Sequence, residues 1–164
     1  MEYLWAPWRM QYIEQGEKIS GCIFCVLPAE QDDQKNLILY RGKHAFIMLN
    51  GFPYNNGHMM VAPFKHTSDM YELSDEELLE INHLVRYAIR LLSATMSPDG
   101  YNLGVNLGRT AGAGVVDHIH WHIVPRWNGD TNFMPVVANV KVLPDSLQST
   151  YNKLKKMMES LGVE

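Results

Sequence analysis

Residues 118–122 read His118-Ile119-His120-Trp121-His122. Strand side chains alternate between faces, so this spacing puts all three imidazoles on one side of a β-strand and Ile119 and Trp121 on the other. Imidazole can serve as nucleophile, general base or metal ligand near neutral pH. Three of them aligned on one rigid element are poor material for an ordinary core and point to a site. A hydrogen-bonded structural cluster and a zinc site, with ligands at i and i+2, are the competing readings. Just upstream, Asn106-Leu107-Gly108-Arg109-Thr110-Ala111-Gly112-Ala113-Gly114 can offer backbone N–H groups to an anion. Alone it would read equally well as a plain connecting turn. Beside aligned imidazoles it suggests attack of a ring nitrogen on phosphorus.

The rest of the chain tells what carries such a strand. Its 164 residues favour one domain with a real core, and 46% apolar with 20% charged residues is a globular composition. A net charge of −4 argues against a broad nucleic-acid footprint but suits a small phosphate ligand held by backbone donors. No apolar run approaches the roughly 20 residues of a membrane span. The start of the chain lacks a signal-peptide pattern, and two cysteines are too few for a disulfide framework, so a reducing cytoplasm is expected. Residues 1–20 form an aromatic arm around Trp5 and Trp8, expected to pack on the body or on a partner subunit.

Short strands are expected at 37–40 and 45–49, joined at Arg41-Gly42-Lys43, and at 59–62, closed by Pro63. Pro28 to Lys35 and Asn50 to Gly57 read as loops. A long helix is expected from Asp75 to about Thr95. Ser74 and Glu77 form its capping box and Leu73 and Leu78 its staple; Leu78, Ile81, Val85, Ile89 and Leu92 mark its core face. Strands at Leu103–Leu107 and His118–Val124 follow, the last ended by Pro125. A C-terminal helix is expected from about Asp145 to Leu161, with Leu147, Tyr151, Leu154, Met158 and Leu161 on one face and Gly162 at its C-cap. The expected fold class is α+β, an antiparallel sheet of about five strands with a long helix and a C-terminal helix. His44 and His83 read as solvated surface, and Lys153 to Lys156 as a charged helix face.

His118-Ile119-His120-Trp121-His122-Ile123-Val124-Pro125-Arg126 resembles the histidine triad (HIT) signature, His-x-His-x-His followed by two apolar residues. Asn55-Asn56-Gly57-His58-Met59-Met60-Val61-Ala62-Pro63 is similar to the family's Gly-His strand ending in Pro. Trp5-Ala6-Pro7-Trp8-Arg9, Cys22-Ile23-Phe24-Cys25 and the run from Pro125 to Phe133 resemble the branch containing diadenosine tetraphosphate phosphorylases and related hydrolases. The resemblance covers nearly the whole chain. It implies a single HIT-like domain over 1–164, a homodimer, and cleavage of a nucleotide phosphoanhydride through a nucleotidyl-histidine completed by water or phosphate.

In that scheme His120 attacks the α-phosphorus, and the carbonyl of His118 holds its Nδ1 proton. His122 and His58 contact the phosphate. Asn50 meets the ribose, and Asn106 and the turn from Gly112 to Gly114 hold phosphate. Met60 is core, with a soft side chain that also suits a purine face. Many members carry a polar residue just before the triad, where this chain has Gly114-Val115-Val116-Asp117, so a backbone N–H of Gly114 must serve. The Cys-x-x-Cys lacks the βαβ context of a redox pair. Relatives that bind metal add a His at the places of His66 and His118, which implies a structural zinc on Cys22, Cys25, His66 and His118, and no organic cofactor. The alternatives are an adenine-nucleotide sensing module with slow residual hydrolysis, and a metalloenzyme using His118, His120 and His122 as ligands.

Overall fold

The period-two pattern resolves into one sheet whose two faces have different tasks. The computed structural model describes residues 21–132 and 141–162. The aromatic arm of residues 1–20, and Phe133, lie outside them. Five strands, β1 (Ile38–Arg41), β2 (Ala45–Leu49), β3 (Met59–Pro63), β4 (Gly100–Val105) and β5 (Trp121–Arg126), form an antiparallel sheet in the order β1-β2-β3-β5-β4. Among the described residues three α-helices accompany it: α1 (Ile23–Ala29), α2 (Asp75–Met96) and α3 (Leu147–Leu161).

Directly opposed residues of an antiparallel ladder point to the same side. Ala45, Ile47, Leu49, Met59, Val61 and Ile123 therefore form one face, buried against α2 and α3. Each large aliphatic side chain in this layer contributes about 1.5–3 kcal/mol by leaving water. Phe46, Met48, Met60 and Ala62 form the other face, against Phe24 of α1. Met48, Met60, His122 and Gly104 pair in one row across the sheet, which places His122 on that second face.

The helix-start signals hold in detail. The Ser74 hydroxyl accepts from the Glu77 N–H (3.2 Å), and the Glu77 carboxylate accepts from the Ser74 N–H (2.7 Å). Asp75, Glu76 and Glu77 complement the dipole of the first turn. The buried stripe of α2 is Ile81, Leu84, Ala88, Leu91 and Leu92, with Leu78, Val85 and Ile89 only part-buried. α2 packs on both the sheet and α3, so its apolar arc is rotated and wider than a single stripe suggests. α3 buries Tyr151, Leu154 and Met158 as expected, and Gly162 caps it with φ +66°. It starts at Leu147, with the Ser146 hydroxyl accepting from the Ser149 N–H.

Several boundaries differ from expectation. Leu37 has φ +58°, so although its carbonyl accepts from the Leu49 N–H (2.9 Å) the extended strand starts one residue later, at Ile38. β4 runs Gly100–Val105, because Gly100 already opposes Arg126 and Leu107 lies beyond the ladder. The stretch from Pro28 is not all loop: α1 continues through Ala29. β5 spans Trp121–Arg126 and excludes His118 and His120, because its ladder with β3 begins where Trp121 meets Val61. Before that point the Ile119 N–H bonds to the Thr67 carbonyl (2.7 Å). Pro125 does not end the strand. It lies past the β3 ladder and is flanked only by β4, so no bond is lost on its free side. No helix among the described residues is long and apolar enough to cross a membrane.

Candidate active site and metal cluster

His118, His120, His122 and His58 gather where β3 and β5 meet, but their environments differ. His120 is 5% exposed, and its Nδ1 lies 2.8 Å from the His118 carbonyl. A carbonyl has no proton to give, so Nδ1 carries the hydrogen and the lone pair of the neutral ring sits on Nε2. Burial lowers the basicity of His120, partly offset by that carbonyl bond, which keeps the ring neutral near pH 7. Phe24 packs on it at 4.6 Å between ring centroids and His122 edge-on at 4.8 Å. An added Cβ at Gly104, opposite His122, meets nothing within 4 Å, so this flank of the site is open.

His58 is fully buried, and the same logic sets its tautomer. The Tyr54 N–H donates to Nδ1 (3.1 Å), so the His58 proton is on Nε2, 3.0 Å from His122 Nδ1. His122 accepts there and carries its own proton on Nε2, a donor. Burial, and then the charges of His122, His120 and Lys141, push His58 down to about 3. The unfolded chain protonates its histidines near 6.5. Between those values the unfolded state holds a proton that folded His58 lacks. This stability is therefore fully present above pH 6.5 and is lost as pH falls toward 3, by up to about 1.4 kcal/mol per pH unit. The urea midpoint of the protein is expected to drop between pH 7 and pH 5, and to drop less steeply in His58→Gln. Equal slopes for the two proteins would contradict a neutral buried His58.

Cys22, Cys25, His66 and His118 bring their ligand atoms within 4.8 Å of one another. His118 Nδ1 lies 3.3 Å from Cys22 Sγ, 3.6 Å from Cys25 Sγ and 3.3 Å from His66 Nδ1, and His66 Nδ1 lies 3.4 Å from Cys25 Sγ. A tetrahedron built with zinc–nitrogen bonds of about 2.0–2.1 Å and zinc–sulfur bonds of about 2.3 Å has nitrogen–nitrogen edges of about 3.3 Å and nitrogen–sulfur edges of about 3.6 Å. The donor set and its spacing fit such an ion. His118 Nε2 lies 2.8 Å from the Pro63 carbonyl, which fixes the proton there and turns the Nδ1 lone pair toward the thiols. Burial, then the Cys22 thiol, raises Cys25. Among the described residues no second such cluster occurs, and the three triad imidazoles do not form one.

The other expected positions are more scattered. Met60 is buried directly beside His122 in the same cross-strand row. The Asn50 side chain is engaged within its own loop, accepting from the Phe52 N–H (2.9 Å) and lying 3.4 Å from His58 Nδ1. Asn106 follows β4, half-buried. Gly112 closes the turn after Gly108 with φ +92°, and Gly114 lines an open cavity with Cys22, His66 and Arg109. His83 is exposed and His44 lies 4.0 Å from Glu76. Sequence reasoning assigned no part to Phe24, Tyr54, Asn55 or Asp130. Asn55 and Asp130 stand inside the quoted motifs, but nothing local reveals that they meet.

The HIT domain family profile matches residues 31–129, more than half of the chain, and the protein belongs to the HIT family. It is 36% identical over 157 residues to the AP-4-A phosphorylase of Mycobacterium tuberculosis strain H37Rv, covering 92% of this chain and 80% of that one. It is 35% identical over 108 residues to the adenosine 5'-monophosphoramidase hnt1 of Schizosaccharomyces pombe, covering 66% of this chain and 76% of that one. A zinc-bound histidine triad family protein of Mycobacterium smegmatis shares the fold with a TM-score of 0.67 at 23% identity, over 86% of this chain and 95% of that one.

Proposed function

We propose that this protein, as one domain over residues 1–164, cleaves a phosphoanhydride bond of a dinucleoside polyphosphate such as diadenosine tetraphosphate. The observation that carries the reading is the tautomer of His120, whose Nδ1 is held by the His118 carbonyl while the Nε2 lone pair stays available. Nε2 attacks the α-phosphorus, a P–N bond forms, and the P–O bond to the bridging oxygen breaks. The leaving phosphate chain departs with the electron pair. Water or inorganic phosphate then attacks the nucleotidyl-His120, and the P–N electrons return to Nε2. His122, protonated on Nε2 and backed by His58, donates to phosphate oxygens as their charge develops. Asn50 meets the ribose, Met60 the base, and Asn106 with the Gly112 and Gly114 backbone the phosphates. The 36% identity to a phosphorylase supports this substrate class.

A structural zinc on Cys22, Cys25, His66 and His118 belongs to the same reading, supported by the tetrahedral spacing and by a zinc-bound relative of the same fold. When bound, the metal supplies cross-linking of α1 to the sheet and no chemistry at phosphorus. The reading includes a homodimer in the cytoplasm. Its physical support is the edge strand β4, which leaves Leu103 half-exposed.

Product analysis with diadenosine tetraphosphate tests the assignment. ADP and ATP formed only when phosphate is added mean phosphorolysis, and AMP with ATP means water as acceptor. Absence of cleavage of both this dinucleotide and adenosine 5′-phosphoramidate would refute the reading.

A further inference from the structure

The segment from Asn50 to His58, between β2 and β3, has no regular secondary structure, yet it carries the imidazole that sits on His122. Its two ends are tied by the Asn50 N–H donating to the His58 carbonyl (2.9 Å), and the turn between them is placed by side-chain bonds. Asn55 is 5% exposed, and its carbonyl accepts from the His58 N–H (3.1 Å). Its amide donates to the Pro125 carbonyl (3.0 Å) and to the Asp130 carboxylate (2.9 Å). Asp130 in turn is gripped by the Arg126 guanidinium at 2.6 and 3.0 Å and accepts from the Trp127 N–H at 3.3 Å. Arg126 also donates to Asn102 of β4 (2.9 Å). The carboxylate thus ties the end of β5, the strand of His122, to the turn that presents His58.

We propose that Asp130 is a positioning residue for the His58–His122 pair, acting through Asn55. The two imidazoles must keep one distance and one tautomer for His122 to present its Nε2 proton. The backbone of β5 places His122 and the Asn50 N–H holds the His58 carbonyl, while the Asn55 anchor sets the turn whose Tyr54 N–H fixes the His58 tautomer. Losing the carboxylate leaves the buried Asn55 amide one partner short and the turn free to drift. A drift of about 1 Å at a catalytic group can cost roughly 100-fold in rate. This inference rests on the proposed cleavage reaction for its consequence but not for its geometry.

The test compares the wild-type full chain with Asp130→Leu and Asp130→Asn. Imidazole nitrogens are read by two-bond 1H–15N correlation, and kcat and KM on diadenosine tetraphosphate are measured well below the unfolding temperature. In Asp130→Leu the His58 Nδ1 resonance is expected to lose its acceptor shift, and kcat to fall roughly 10- to 100-fold, with KM within about threefold. Asp130→Asn keeps an oxygen for Asn55 and is expected to restore both. Unchanged His58 resonances with kcat within about threefold of wild type in Asp130→Leu overturn the proposal. If that variant does not fold, Asn55→Ser removes the donor instead, and unchanged His58 resonances there overturn it equally. A wild-type chain that cleaves no dinucleotide defeats the functional reading alone, and the resonances still decide the positioning.

Discussion

His120→Asn is expected to leave a folded, metal-binding protein with turnover reduced by about 10⁴-fold or more, equivalent to more than about 5 kcal/mol of lost transition-state stabilisation. The asparagine amide can still donate to the His118 carbonyl, so the local bond that orders this segment survives. What it cannot do is form a P–N bond through a free ring lone pair. Near-normal zinc content and an unchanged unfolding temperature, with single-turnover rates at background, are the expected result. Activity within tenfold of wild type would remove His120 from the role of nucleophile and leave the site to some other group.

Removal of the proposed zinc is expected to have the other large effect. Cys22→Ser is expected to lose stoichiometric zinc by mass spectrometry. It is also expected to lower the unfolding temperature by on the order of 10 °C, from several kcal/mol of lost binding energy at about 2–4 °C per kcal/mol. Activity is expected to fall as well, because His118 serves twice. Its ring faces the thiols and its carbonyl holds the proton of His120. A wild-type protein purified without zinc sinks the structural-zinc reading. So does a Cys22→Ser protein that keeps its zinc and loses activity to a chelator, an outcome that points to the three-imidazole site.

Much of the architecture is legible in the sequence. Capping at Ser74 and Glu77, the Ala45–Leu49 strand and the Gly162 stop are local statements, each settled by residues within a few positions. Boundaries failed where a neighbour in space decides them. His118 and His120 have a strand-like period, yet β5 begins only at Trp121, because β3 offers pairing from there on. Pro125 reads as a terminator, but the side it leaves unbonded faces no strand.

The site divides in the same way. Residue chemistry and spacing alone determined that three imidazoles align in this chain, that a two-cysteine motif offers further metal ligands, and that glycines break the segment between β4 and β5. The resemblance already implied the Nδ1 proton of His120, whereas for His118, His58 and His122 only the tertiary structure decided which nitrogen holds the proton. That choice depends on the Pro63 carbonyl reaching His118 across 55 positions and on His58 reaching His122 across 64. The Asn55–Asp130 bond spans 75 positions. A hydrogen bond is fixed by distance in space, and distance in space between remote residues is set by the packed sheet rather than by local period.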